Sequence, residues 1–308
     1  MRSISALLIA LAFAPAARAQ VPADGFALER LYLSAPGAGW FVLDDLRQHG
    51  GLGAAAGVTL GYARRPLSLT GGAGRLDVVS DQLMAELGLA LTYDRFRLSL
   101  GFAGPIVFSG ESGQRGGYQY AAPPTDLQQN PDTIADPRIG LDARLYGEED
   151  SALRVGASAQ LIIPAGVVAD YITDGTYRGM VRLLLAGDRG RFTWAGQLGV
   201  HLRPRDDGPG PGGPRGSELL FGVAGGARLA TGAGELLLGP EVFGETAFKG
   251  AQATGVEALL GARLEGGRAD GARVRFRLGL GAGLDPRFGA PAFRVVAGVE
   301  LSGHAQER

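Results

Sequence analysis

Residues 82–108, QLMAELGLALTYDRFRLSLGFAGPIVF, alternate so regularly that a helix is excluded there. Leu83, Ala85, Leu87, Leu89 and Leu91 fall on one parity, and Gln82, Met84, Glu86, Gly88, Ala90 and Thr92 on the other. The period is two, not 3.6. After Asp94 and Arg95 the pattern resumes, with Phe96, Leu98, Leu100 and Phe102 set against Arg97, Ser99, Gly101 and Ala103. Two long strands joined by an abrupt polar turn therefore each carry a nearly pure apolar face. A strand that crosses a bilayer needs about 9–11 residues, and lipid is the simplest solvent for a face of this length.

The same rhythm runs through the chain. A first strand spans residues 53–64, with Ala54, Ala56, Val58, Leu60 and Tyr62 on its apolar parity, and a loop over 66–80 leads to the opening hairpin. Residues 110–135 carry Gly, Pro, Asn and Gln without periodicity and read as a long loop. Strands follow over 138–146 and 153–163, joined by the turn 147–150, and over 177–185 and 192–202, joined by the turn 187–190. Loops at 165–174 and 204–216 separate these pairs, and hairpins at 218–248 and 254–282 precede a last strand at 293–301. Short turns alternating with long loops are the habit of outer-membrane barrels. The expectation is an all-β fold, a closed antiparallel up-and-down transmembrane barrel of about twelve strands, with roughly ten or fourteen as the neighbouring even counts.

Charge is locked to one phase. Glu86, Arg97, Arg144, Arg154, Arg182, Glu241, Glu257, Arg263, Arg277 and Arg294 all fall on the polar parity of their strands. An arginine facing lipid at the bilayer midplane costs about 2–4 kcal/mol. A soluble sandwich alternates too, with its charges outward, so the period alone leaves a secreted β-protein open. Gly88, Gly140, Gly156, Gly199, Gly222, Gly261, Gly279 and Gly298 share the polar parity. Small residues suit a crowded or narrow lumen, whereas a solvated face has no need of them.

Composition narrows the rest. Net charge is −1, and Lys249 is the only lysine among 30 basic residues, so no basic tail or stripe suggests nucleic acid. With no cysteine, thiol catalysis, disulfides and Cys-ligated metals are excluded. Arg2, the apolar run over 6–15 and Ala17-Arg18-Ala19 form the three parts of a secretory signal peptide at 1–19, cleaved before Gln20. Residues 20–52 read as an N-terminal periplasmic arm or plug, 53–302 as the barrel and 303–308 as a polar tail.

Several strings resemble the barrel portion of OmpA-like outer-membrane proteins of Gram-negative bacteria, especially myxobacterial ones. They include Gly39-Trp40-Phe41-Val42-Leu43-Asp44-Asp45, Gly61-Tyr62-Ala63-Arg64-Arg65-Pro66-Leu67, Asp174-Gly175-Thr176-Tyr177-Arg178 and Gly239-Pro240-Glu241-Val242-Phe243-Gly244-Glu245-Thr246. The resemblance implies residence in the outer membrane of the cell envelope. The peptidoglycan-binding domain that members often carry is not expected here.

Candidate chemistry is sparse. His49, His201 and His304 have no ligand-spaced partner, which disfavours a metal site; His201 reads as a polar rim residue. Some barrels are hydrolases that pair His with Ser, Asn or Asp near the rim, but no spacing links His201 to Asp132, Asp136, Asp170 or Asp174. No enzyme activity and no cofactor are expected. The set that carries the functional reading is Arg97, Arg138, Arg144, Arg154, Arg178, Arg182, Arg277 and Arg294, facing Glu86, Asp142, Glu241, Glu245 and Glu257. They line either a narrow, mildly anion-preferring pore for a small solute or a closed, salt-bridged lumen. The expected function is a porin-like passive channel or transporter, with membrane lipid as its surroundings. The alternative is a structural or adhesive barrel whose external loops bind a partner or the envelope.

Overall fold

A computed structural model describes residues 21–48, 50–71, 74–124, 133–205, 216–248, 254–267, 272–285 and 289–304. The stretch expected to be a signal peptide, His49, Asp132, Lys249 and residues 305–308 of the expected tail lie outside them.

Twelve strands close into one antiparallel barrel. They are β2 (Leu52–Gly71), β3 (Gly74–Tyr93), β4 (Phe96–Ser109), β7 (Arg138–Tyr146), β8 (Arg154–Ile162), β9 (Arg178–Arg189), β10 (Phe192–Leu202), β11 (Glu218–Thr231), β12 (Gly234–Ala247), β13 (Thr254–Gly267), β14 (Arg273–Asp285) and β15 (Phe293–His304). Each pairs with its sequence neighbour in the barrel, and β15 closes on β2 from Phe293↔Arg64 to His304↔Gly53. Every strand thus finds a partner on both sides, which removes the free edges that a flat sheet would leave. Three further short strands, β1 (Val21–Pro22), β5 (Gly113–Arg115) and β6 (Tyr118–Tyr120), form a separate small sheet.

The alternation read from sequence becomes an apolar exterior and a charged interior. Leu87, Leu89, Leu91, Leu98, Leu141, Leu183 and Leu278 are exposed, while Arg97, Arg154, Glu241, Glu257 and Arg294 are buried on the opposite parity. Near the end carrying the long connections the outward face turns polar. There the Arg64 guanidinium pairs with Asp81, and the Tyr62 hydroxyl donates to the same carboxylate at 2.6 Å.

Two stretches depart from the sequence reading. The expected loop over 66–80 is strand: Leu67, Leu69 and Leu76, with Val78 and Val79, carry β2 and β3 on past the rim as a ladder ending at Gly71↔Gly74. Two register irregularities, between Arg64 and Leu67 and between Leu67 and Ser68, mark where it leaves the barrel rhythm. Pro66 suggests a loop, but proline is tolerated at such bulges. In β4 the register slips opposite Leu83 and Met84, which face Val107 and Pro105. One extra residue flips every later side chain. Phe108, on the apolar parity by simple counting, is consequently buried, and Val107 is exposed.

Residues 23–48 run from one end of the barrel to the other through its interior. Their start is at the end with the long connections, where Ala23 N–H donates to Gln119 O and Leu28 N–H to Tyr171 O. They finish at the short turns, where Arg47 pairs with Asp150 at 3.0 Å and Gly51 N–H donates to Asp94 Oδ1 at 2.9 Å. Midway the segment doubles back, with Ser34 N–H donating to Phe41 O at 2.8 Å and Ala38 N–H to Ala35 O at 3.0 Å.

Candidate functional site: the packed lumen

The interior is built from two kinds of contact. Trp40, Phe41, Val42, Leu43 and Leu46 form one apolar cluster with strand residues that include Leu184, Leu237, Phe243 and Leu259. A segment without regular structure still has backbone groups to satisfy, and the strands supply charged partners for them. Phe41 N–H donates to Glu241 Oε1 at 2.7 Å, and Val42 and Leu43 N–H donate to its Oε2 at 2.9 and 3.3 Å. The Arg277 guanidinium donates to Trp40 O at 2.7 Å and lies 4.3 Å from the Phe41 ring centroid. Arg263 donates to Gly39 O at 2.8 Å, Arg275 to Ala38 O at 2.8 Å, Arg154 to Asp45 O at 2.8 Å and Arg144 to Leu46 O at 3.1 Å.

Side chains of the segment complete the ion pairs. Asp44 pairs with Arg97, which also lies 3.9 Å from Asp142. Asp45 meets Arg228 at 3.3 Å, and Glu29 meets Arg294 at 2.9 Å while Glu257 holds the same guanidinium at 2.5 Å. Arg138 pairs with Glu86. Arg178 meets Asp136 at 2.9 Å, and Arg154 meets Asp188 at 2.6 Å. Arg30 stands 3.2 Å from Glu245 and 3.4 Å from Glu218. Two guanidiniums differ: among the described residues Arg144 and Arg182 make no ion pair, and half-buried Arg182 donates to Ser158 Oγ at 2.9 Å.

Burial pushes the Asp45 carboxyl up, but Arg263, Arg228 and Arg47 outweigh it and hold the carboxyl well below its usual range. Asp174 is lowered in the same way: burial opposes, and Arg203 and Arg178 prevail. Both groups are therefore anions at neutral pH.

The small residues on the inward parity make room for this segment. A β-carbon at Gly88 would stand 2.7 Å from Pro36 Cγ, and one at Gly156 would stand 2.7 Å from Leu46 Cδ2. Three voids among the described interior residues are tiny: about 20 Å³ beside Arg30, Tyr32 and Arg182, about 10 Å³ beside Trp40 and Arg263, and about 30 Å³ beside Gln48 and Arg97. A larger concavity of about 550 Å³ lies at the wall beside Ala54, Ala56, Leu89, Leu91 and Leu301, all of apolar parity.

Parity finds every strand residue singled out from sequence. It also covers charged residues beyond that set, Asp188, Glu218, Arg228, Glu265, Arg275 and Glu300, each on the inward phase of its strand. Arg275 contacts Glu300 at 2.8 Å, and Arg277 pairs with the same carboxylate. What parity cannot find is the partner that lies off the strands. Glu29, Arg30, Asp44 and Asp45 sit in a stretch with no period, and Asp136, Asp174 and Arg203 in connections. His201, expected at the rim, is fully buried beside Glu218 and Glu245. Of the loop aspartates considered as its partners, Asp136 is engaged by Arg178 and Asp174 by Arg203 at 2.6 Å, while Asp132 lies outside the described residues.

No family model matches the chain, and no curated protein matches its sequence. Solved structures do. The crystal structure of an outer membrane channel from Pseudomonas putida F1 aligns with TM-score 0.54 at 12% identity, covering 84% of this chain and 98% of that one. The CymD monoaromatic hydrocarbon channel aligns with TM-score 0.45 at 11% identity, over 85% and 90% of the two chains. The Pseudomonas putida toluene transporter TodX aligns with TM-score 0.43 at 8% identity, over 92% and 99%. At 12% identity the first likeness is one of fold: this chain has the fold of an outer-membrane β-barrel.

Proposed function

We propose that the chain is exported by residues 1–19, inserts into the outer membrane as a barrel over 53–302, and passes a small solute when the segment within 20–52 shifts. In this reading residues 303–308 are a polar tail, and the segment is a gate, closed in the conformation described. One observation carries the proposal. The gate is seated by buried charge on the strands, above all by Glu241 under three successive amides, so loss of a few polar contacts releases it. Apolar packing alone would make a permanent core.

The path opened would run past Arg97, Arg138, Arg144, Arg154, Arg178, Arg182, Arg277 and Arg294, and past Glu86, Asp142, Glu241, Glu245 and Glu257. Arg144 and Arg182, without ion pairs among the described residues, would give it an anion bias. The likeness in fold to a Pseudomonas putida outer membrane channel supports transport, and the strings noted above support a place among OmpA-like barrels. A second reading, a closed barrel whose external loops bind a partner or the envelope, is favoured by interior voids of only about 10 to 30 Å³.

Planar-bilayer recording separates the two. The intact barrel should show rare, small, anion-biased openings, and Glu241→Gln should make them frequent, with Arg182→Ala shifting the reversal potential toward cations. Silent bilayers from folded wild type and folded Glu241→Gln alike would leave the closed barrel as the function.

A further inference from the structure

On the strand side of the gate, Glu245 belongs to a three-residue cluster whose histidine the gating account does not use. His201 of β10, Glu218 of β11 and Glu245 of β12 come from three successive strands and point to one spot. His201 and Glu218 are direct cross-strand partners, and Glu245 faces Leu220, two residues on from Glu218. Side chains so related are neighbours on one face, and the hydrogen-bonded ladder fixes their spacing. His201 Nδ1 is 3.5 Å from Glu245 Oε2 and 3.7 Å from Glu218 Oε2. Ligand atoms of all three lie within 4.8 Å of one another.

The bonding of these groups is incomplete. His201 is fully buried, yet neither ring nitrogen has a hydrogen-bond partner; neither has Glu218 Oε2 or either oxygen of Glu245. Buried polar atoms are ordinarily satisfied, and so many at one point call for a shared partner. We propose that His201, Glu218 and Glu245 bind one divalent transition-metal ion of the zinc class. Donor atoms about 2.0–2.1 Å from a tetrahedral zinc stand roughly 3.4 Å apart, and one imidazole with two carboxylates is a zinc donor set that leaves a fourth position for water. The surroundings are those of an oriented site. Arg203 donates to Glu218 Oε1 at 2.7 Å, on the oxygen turned away from the histidine, and the Tyr32 ring closes the other side edge-on, its centroid 5.5 Å from that of His201. Arg30 Nη1, 3.4 and 3.2 Å from the two Oε2 atoms, anchors the same carboxylates from the gate and would contact the metal only through them.

The competing occupant is a proton, which would make His201 a cation between two carboxylates. Metal analysis of the full barrel in detergent decides between them. After exposure to Zn²⁺ and exhaustive dialysis, the wild type should retain about one ion per chain. With Co²⁺ it should develop the visible absorption of a tetrahedral centre. His201→Ala and, as an isosteric check on folding, Glu245→Gln should lose both signals while keeping heat-modifiable mobility. Zinc retained equally by folded wild type and folded Glu245→Gln, or by neither, overturns the proposal.

Discussion

The carboxylate of Glu241 on β12 holds the backbone of Phe41: Oε1 accepts the Phe41 amide at 2.7 Å, and Oε2 accepts the next two amides. Removing the carboxylate leaves three buried donors unmatched, each at a cost of about 1–3 kcal/mol. Glu241→Ala should therefore unseat the gate around Trp40 without dissolving the barrel. Trp194, the other tryptophan, lies outward and half exposed, so a Trp194→Phe background isolates the signal. The expected result is a red-shifted, more quenchable Trp40 emission; an unchanged spectrum would show that the apolar contacts suffice.

The barrel was legible because lipid and lumen enforce one rule on every strand, and a period of two needs only local sequence. Leu98, Arg97, Leu183 and Arg182 all follow it. Phe108 broke it through a bulge whose cause, a slip opposite Leu83 and Met84, is a property of two strands together. The course of the inner segment was not legible for a related reason. Asp44 and Asp45 answer to Arg97 and Arg228, many residues away, and no periodicity reports a partner that distant.

Pro36, in the turn where the gate doubles back, sits against Gly88 because that inward position has no side chain. Gly88→Val overpacks the contact, at about 1–3 kcal/mol. Limited trypsin digestion of the folded variant should then cut after Arg30 or Arg47, bonds that the wild type protects. Equal protection in both would mean that the gate tolerates the added volume.

Acid should loosen the gate within a defined range. A carboxyl whose folded pKa is depressed stabilises the folded state fully above its unfolded value and loses that contribution as pH falls through the folded value. Asp45 and Asp174 are both depressed, so the gate should stay seated from neutrality down to about pH 4 and loosen below. Trp40 emission against pH reads this directly, and a transition already complete at pH 6 would contradict the assignment.

The outward face makes a separate demand. Leu183 and Leu278 are exposed on the barrel wall, and an arginine at either position would meet hydrocarbon at a cost of about 2–4 kcal/mol. Leu183→Arg and Leu278→Arg should lower the heat-modifiable fraction recovered in outer membranes. Full recovery of both would place that face in water.

The gate itself is best tested at Asp44 and Arg97, whose side chains pair inside the barrel. The chain has no cysteine, so Asp44→Cys with Arg97→Cys creates the only thiols. Loss of the ion pair should raise single-channel current in planar bilayers, and a bifunctional thiol reagent joining the two cysteines should abolish it, with recovery on reduction if the linker is cleavable. Current that is the same before and after cross-linking would contradict a gate formed by residues 23–48.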